Sequence, residues 1–276
     1  MGEARMAGMK VYRDHLSVTT WIVLASLTMG LLLQWPERVY TLWAFGSPID
    51  LRISGAFVAG LVALAATWAG TEAVLRTHPC AARLRHTYRF WGLPSAMTLT
   101  GATLLPTIQN PSLWLLILAA VGTGLAVSIA GEYHTVDREE AAYAKARWLL
   151  NILAYLLAGI TFVLIYLARS RSLVSATLIA LVAGMLAMDL LRDSSRGTGE
   201  VMLSSGLIAF LLAQITVLLN YWPFPTLRVA LLLLMAFYLM VGLVQTHLRG
   251  HLTFRRALEY LTISGVVVAI IVLFPK

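Results

Sequence analysis

Nine long apolar runs divide the chain, at residues 18–33, 53–75, 92–108, 112–130, 148–168, 173–191, 201–219, 227–244 and 260–274. Most reach the roughly 20 residues that one bilayer crossing needs. The pattern predicts an all-α, polytopic transmembrane bundle of about nine spans. The third run departs most from this pattern. Pro94 and Pro106 interrupt it, and Thr98, Thr100, Thr103 and Thr107 dilute it. A broken helix is tolerated at membrane depth only when other protein covers it, so this run is either a kinked span packed against its neighbours or a re-entrant segment that leaves eight spans.

Composition sharpens the class. Of 276 residues, 59% are of the AVILMFWYC type and 12% are charged, with a mean hydropathy of +0.79. A water-soluble fold is excluded. Nine spans use roughly 180 positions, so the chain is expected to be a single integral membrane domain over 1–276, of which 1–16 form a short cytoplasmic N-terminal segment. The first run follows Arg5, Lys10 and Arg13, as in a signal peptide, yet it ends in Gln34-Trp35-Pro36-Glu37-Arg38 without a small-residue cleavage site, and it reads as a retained span. Cys80, the single cysteine, has no disulfide partner in the chain and reads as a loop thiol.

A net charge of +8 does not point to nucleic acid, because the bases sit between the apolar runs. With the N-terminus in the cytoplasm, 15 of the 21 Lys and Arg residues fall on the cytoplasmic side of a nine-span arrangement. This positive-inside bias predicts nine spans with the N-terminus in the cytoplasm and the C-terminus outside. Trp35-Pro36, Pro106, Pro111 and Tyr221-Trp222-Pro223 fall on the opposite face, where aromatic residues anchor at headgroups. The text of the fifth run, Leu153-Ala154-Tyr155-Leu156-Leu157-Ala158, recurs in the seventh as Ile208-Ala209-Phe210-Leu211-Leu212-Ala213, which suggests a repeated two-helix unit. The pairs Ala56/Gly60, Ala120/Gly124 and Ala180/Gly184 have the small-xxx-small spacing that lets helices approach closely.

No ionisable residue lies mid-span, which argues against a proton pump or ion-coupled carrier. The polar candidates gather at the predicted cytoplasmic boundary: Glu72, Glu132, His134, Asp137, Asp189 and Arg192. Within Glu132-Tyr133-His134-Thr135-Val136-Asp137-Arg138-Glu139-Glu140, a carboxylate beside an imidazole could serve as an acid/base pair. The alternative is a solvated loop in which Asp137 and Glu140 form a capping box for the fifth helix and the acids pair with Lys145 and Arg147. His247 and His251 have ligand-like spacing, but Gly250 between them reads as a helix end, and no metal is assigned. Arg83-Leu84-Arg85-His86-Thr87-Tyr88-Arg89-Phe90-Trp91 reads as an interfacial segment facing anionic lipid, and Arg192–Glu200 lacks the lysine and spacing of a phosphate loop.

The combination Gly131-Glu132-Tyr133-His134-Thr135-Val136-Asp137, Leu149-Leu150-Asn151, Leu190-Leu191-Arg192-Asp193, Leu219-Asn220-Tyr221-Trp222-Pro223 and His247-Leu248-Arg249-Gly250 resembles a family of uncharacterised polytopic membrane proteins of the kind found in green non-sulfur (Chloroflexi-type) bacteria. The resemblance implies a multi-helix inner-membrane protein and transfers no catalytic role. Two functions remain. The first is a binder or transporter of lipid or a small apolar molecule, or a subunit of a membrane complex. The second is an intramembrane enzyme acting on a lipid or polyprenyl substrate at the cytoplasmic face. Membrane lipids are the expected partners, with further membrane subunits as an alternative and no nucleic acid. No cofactor is implied.

Overall fold

The computed structural model describes residues 2–32, 38–44, 47–80, 87–168, 172–193, 197–222, 224–250 and 253–273. Among these, nine helices follow the nine apolar runs in order: α1 (Gly2–Leu32), α2 (Gly55–Arg76), α3 (Gly92–Leu104), α4 (Pro111–His134), α5 (Tyr143–Leu167), α6 (Ser172–Leu191), α7 (Thr198–Asn220), α8 (Thr226–Leu248) and α9 (Phe254–Leu273). The all-α class holds. Six of the helices, α2 and α4 to α8, are long and apolar enough to cross a membrane, which fits a membrane protein. The chain divides into two compact units, Met1–Arg147 and Trp148–Lys276.

In the first unit, antiparallel packing can be read from small residues. On α1 and α2, Gly30 lies against Ala59 and, toward the other end, Gly70 lies against Thr19, so close that a Cβ on either glycine would collide. On α2 and α3, Gly60 faces Ala102, the Thr67 and Thr98 hydroxyls bond at 2.7 Å, and the Trp68 indole N–H donates to Ser95 Oγ at 2.7 Å. On α3 and α4, Gly101 faces Val121 while Gly124 faces Met97. Leu24 on α1 meets Gly122 on α4, and Tyr12 meets Tyr133. The four legs therefore alternate in direction around a core of Val23, Leu27, Ala63, Val74, Leu105, Val121, Leu125 and Ile129.

This arrangement places the third run as one leg of the first unit. α3 has 13 residues, roughly 20 Å, but 3₁₀ turns at Tyr88–Phe90 and Leu105–Thr107 lengthen its leg at both ends. Pro94 sits in the first helical turn, where its missing N–H has no helical partner to lose, and Pro106 sits in the closing 3₁₀ turn. Neither proline kinks the helix; they bracket it. Of the four threonines, Thr98 reaches across to α2, while Thr100, Thr103 and Thr107 bond back to carbonyls of their own leg. Asn110 then caps α4, accepting from the Ser112 and Leu113 amides, with Pro111 at the first helical position.

Two features were not expected. Residues 2–16 are helical and continuous with the rest of α1. Between α1 and α2, β1 (Arg38–Ala44) and β2 (Ser47–Ile53) form an antiparallel hairpin in which Arg38 pairs with Ile53 and Ala44 with Ser47. The run Val39-Tyr40-Thr41-Leu42-Trp43 carries β-branched and aromatic residue types, a strand signal that a search for apolar spans passes over.

The second unit alternates in the same way. Asn220 Nδ2 donates to Ser172 Oγ at 2.9 Å, tying the end of α7 to the start of α6, and Gly184 faces Ala209 midway along them. α5 and α7 run parallel, with the Tyr166 hydroxyl donating to the Thr216 carbonyl at 3.3 Å. Aromatic rings join α5, α8 and α9: Phe162 and Tyr155 meet Phe237, and Tyr238 meets Tyr260. Gln214, a polar residue within the seventh apolar run, is exposed on α7. Gly250, at φ 73°, closes α8 in the left-handed conformation; His247 is exposed one turn before it, and His251 lies outside the described residues.

Candidate functional site

Because the four legs of the first unit alternate, the start of α1, the end of α2 and the end of α4 meet at one end. There the side chains of Tyr12, His78, Cys80, Tyr133, His134, Asp137 and Glu140 converge. His134 Nδ1 lies 2.6 Å from Glu140 Oε1, and His78 Nε2 lies 4.0 Å from Glu140 Oε2. One carboxylate thus stands between two imidazoles that are 56 positions apart in sequence.

The backbone fixes the His78 ring. The Cys80 amide N–H donates to His78 Nδ1 at 3.1 Å, so the neutral ring carries its proton on Nε2, the nitrogen that faces Glu140. The His78 side chain is only 8% exposed, and burial pushes its pKa below the ordinary histidine value, against the opposing pull of Glu140 and Asp137. Cys80 Sγ lies 3.6 Å from Asp137 Oδ2, and Asp137 Oδ1 accepts the Glu139 amide. Aromatic faces enclose the group. The Tyr12 and Tyr133 ring centroids are 4.2 Å apart, and His78 and His134 meet Tyr133 edge-on at 4.8 and 5.4 Å. Burial also raises the Tyr12 hydroxyl to about 12, so it stays protonated.

The sequence candidates separate on this frame. His134 and Asp137 belong to the cluster. Glu132 is fully buried one turn earlier on α4 and accepts from Thr135 Oγ1 at 3.4 Å. Glu72 pairs with Arg76 at 2.7 Å on α2. Asp189 and Arg192 belong to the second unit, where Arg192 Nη1 lies 3.5 Å from the buried Asp189 at the end of α6. The capping box is not formed: α5 begins at Tyr143, and Asp137 opens a turn six residues before it. Glu140 turns back to His134 instead of toward the helix, since an imidazole offers it a charge-assisted bond. Sequence reasoning missed Tyr12, His78 and the role of Cys80. Among the described residues, no three His, Cys, Asp or Glu side chains are placed to share a metal ion. What the cluster can do chemically is hold and redistribute a proton.

The other half of the first unit is apolar. A groove of about 580 Å³ runs along α1 past Trp21, Leu24, Thr28 and Leu32 to Leu118 on α4. A second groove, of about 190 Å³, lies between α1 and α2 at Ser26, Gly30, Gly55 and Val62. Met29 lines both.

No curated protein and no solved structure matches the chain. A profile described as "Protein of unknown function (DUF5656)" matches residues 35–274, a stretch that runs from before the hairpin to the end of α9. The chain belongs to that family, as its polytopic pattern and motifs led us to expect for an uncharacterised membrane protein family.

Proposed function

We propose that this protein is a multi-pass component of a bacterial cytoplasmic membrane, with its N-terminus inside and its C-terminus outside, that binds a lipid or another small apolar molecule. The observation that carries the reading is the 580 Å³ groove along α1, which falls within the roughly 300–1,000 Å³ typical of ligand sites and is lined almost wholly by apolar side chains. Support for the location comes from the distribution of basic residues and from the large apolar side chains left outside, among them Trp21 at 71% and Leu203 at 77% exposed.

Native mass spectrometry of protein purified in mild detergent tests this. The expected result is a stoichiometric apolar adduct that is lost in an Ala25→Trp variant, which fills the groove. A bare protein, or an adduct indifferent to that substitution, would overturn it.

A second reading is favoured by the carboxylate between His78 and His134: an enzyme acting on a lipid or polyprenyl headgroup at that end of the first unit. Such an enzyme would lose turnover, and not lipid retention, on Glu140→Gln.

A further inference from the structure

We propose that the His78–Glu140–His134 cluster is an acid-released latch, which holds the turn after α2 against the turn after α4 at neutral pH and lets them part when the pH falls.

Glu140 is one carboxylate, and its Oε1 is committed to His134 at 2.6 Å. Its Oε2 is buried and accepts no hydrogen bond from a described residue. His78 Nε2 stands 4.0 Å away, near enough to feel the charge and too far for a hydrogen bond. While His78 is neutral, its ring packs against Tyr133 and its Nδ1 receives the Cys80 amide. A proton on His78 changes this. Its Nδ1 could no longer accept that amide, and the charge would sit on a side chain only 8% exposed.

Of the groups that face His78, the Glu140 and Asp137 carboxylates favour a charged ring, but burial of the ring outweighs them. From α1 comes Tyr12, which stays protonated and neutral, and from α4 come Tyr133 and His134. From its own turn comes Cys80, and from the turn after α4 come Asp137 and Glu140. Asp137 is the one further anion in this set, and its two oxygens are engaged by the Cys80 thiol and the Glu139 amide. A buried histidine that cannot be charged in place is charged by leaving, so protonation and opening are coupled.

Hydrogen–deuterium exchange of the full chain in detergent tests the latch, with rates corrected for the intrinsic pH dependence of amide exchange. Peptides covering 73–80 and 133–142 should lose protection on the order of tenfold between about pH 7.5 and about pH 5.5, the range in which histidine charges. His78→Gln, which cannot be charged, should keep its protection at both pH values. Glu140→Gln, which removes a carboxylate that favours a charged His78, should stay closed at about pH 7.5 and lose more protection than the wild type at about pH 5.5. Peptides of α6 and α7 serve as the folding control and should be indifferent throughout. Equal protection of the wild type at both pH values would overturn the latch. So would the same acid-dependent loss in His78→Gln.

Discussion

Glu140 binds back across a six-residue turn to His134, with Oε1 2.6 Å from Nδ1, and does not cap the helix that follows it. Both side chains are roughly one-third exposed, at 31% and 39%. The pair lies between a screened surface ion pair and a buried one, and a coupling of about 1 kcal/mol is expected. A double-mutant cycle with Glu140→Gln and His134→Ala, read by thermal unfolding in detergent, measures it. Additive single effects would mean that the contact contributes nothing.

The buried His78 makes a separate prediction about overall stability. Its folded pKa lies below the unfolded value of about 6.5. The unfolded chain therefore takes up the proton first as the pH falls. Stability should be highest above about pH 6.5 and should decline as the pH drops through the lower, folded value. Thermal midpoints measured across that range should fall less steeply in His78→Gln than in the wild type.

The contact between α1 and α2 depends on Gly70, where a Cβ would lie within 2.7 Å of Thr19 Cβ. Gly70→Ala should lower stability by about 1–3 kcal/mol, since overpacking forces neighbouring helices apart. Adding Thr19→Ala, which removes the two nearer γ atoms and keeps the Cβ, should restore part of that loss. Gly206 on α7 has no atom within 4 Å of a built Cβ, and Gly206→Ala should be neutral or slightly stabilising. Chemical denaturation of the four proteins distinguishes a packing effect from a general intolerance of added side chains.

All nine helices were legible in the sequence because lipid-facing segments are apolar all round, and that pattern survives without any knowledge of tertiary contacts. Their ends were not. α1 extends to Gly2 through Arg5, Lys10 and Arg13, residues that form helix readily but interrupt a hydropathy window. The hairpin was hidden because its strands are short and lie between two spans. Half of the polar cluster was visible as the text around His134, but its partners were not. Tyr12 and His78 reach it only because α3 returns the chain to the opposite end and α4 brings it back, a relationship that no local pattern encodes. The small-xxx-small pairs were better guides, since Gly60, Gly124 and Gly184 each meet a neighbouring helix.

The account rests on α3 carrying the chain from one end of the first unit to the other, short as it is. Cysteine accessibility tests this directly, in a Cys80→Ser background, with single cysteines at Pro79, Gln109 and Arg138, all of which are exposed. An impermeant maleimide applied to intact cells should label the Gln109 site and leave the Pro79 and Arg138 sites unlabelled until the membrane is opened. Labelling that places Pro79 and Gln109 on the same side, with Arg138 opposite, would mean that α3 does not cross, and the alternating arrangement would be wrong.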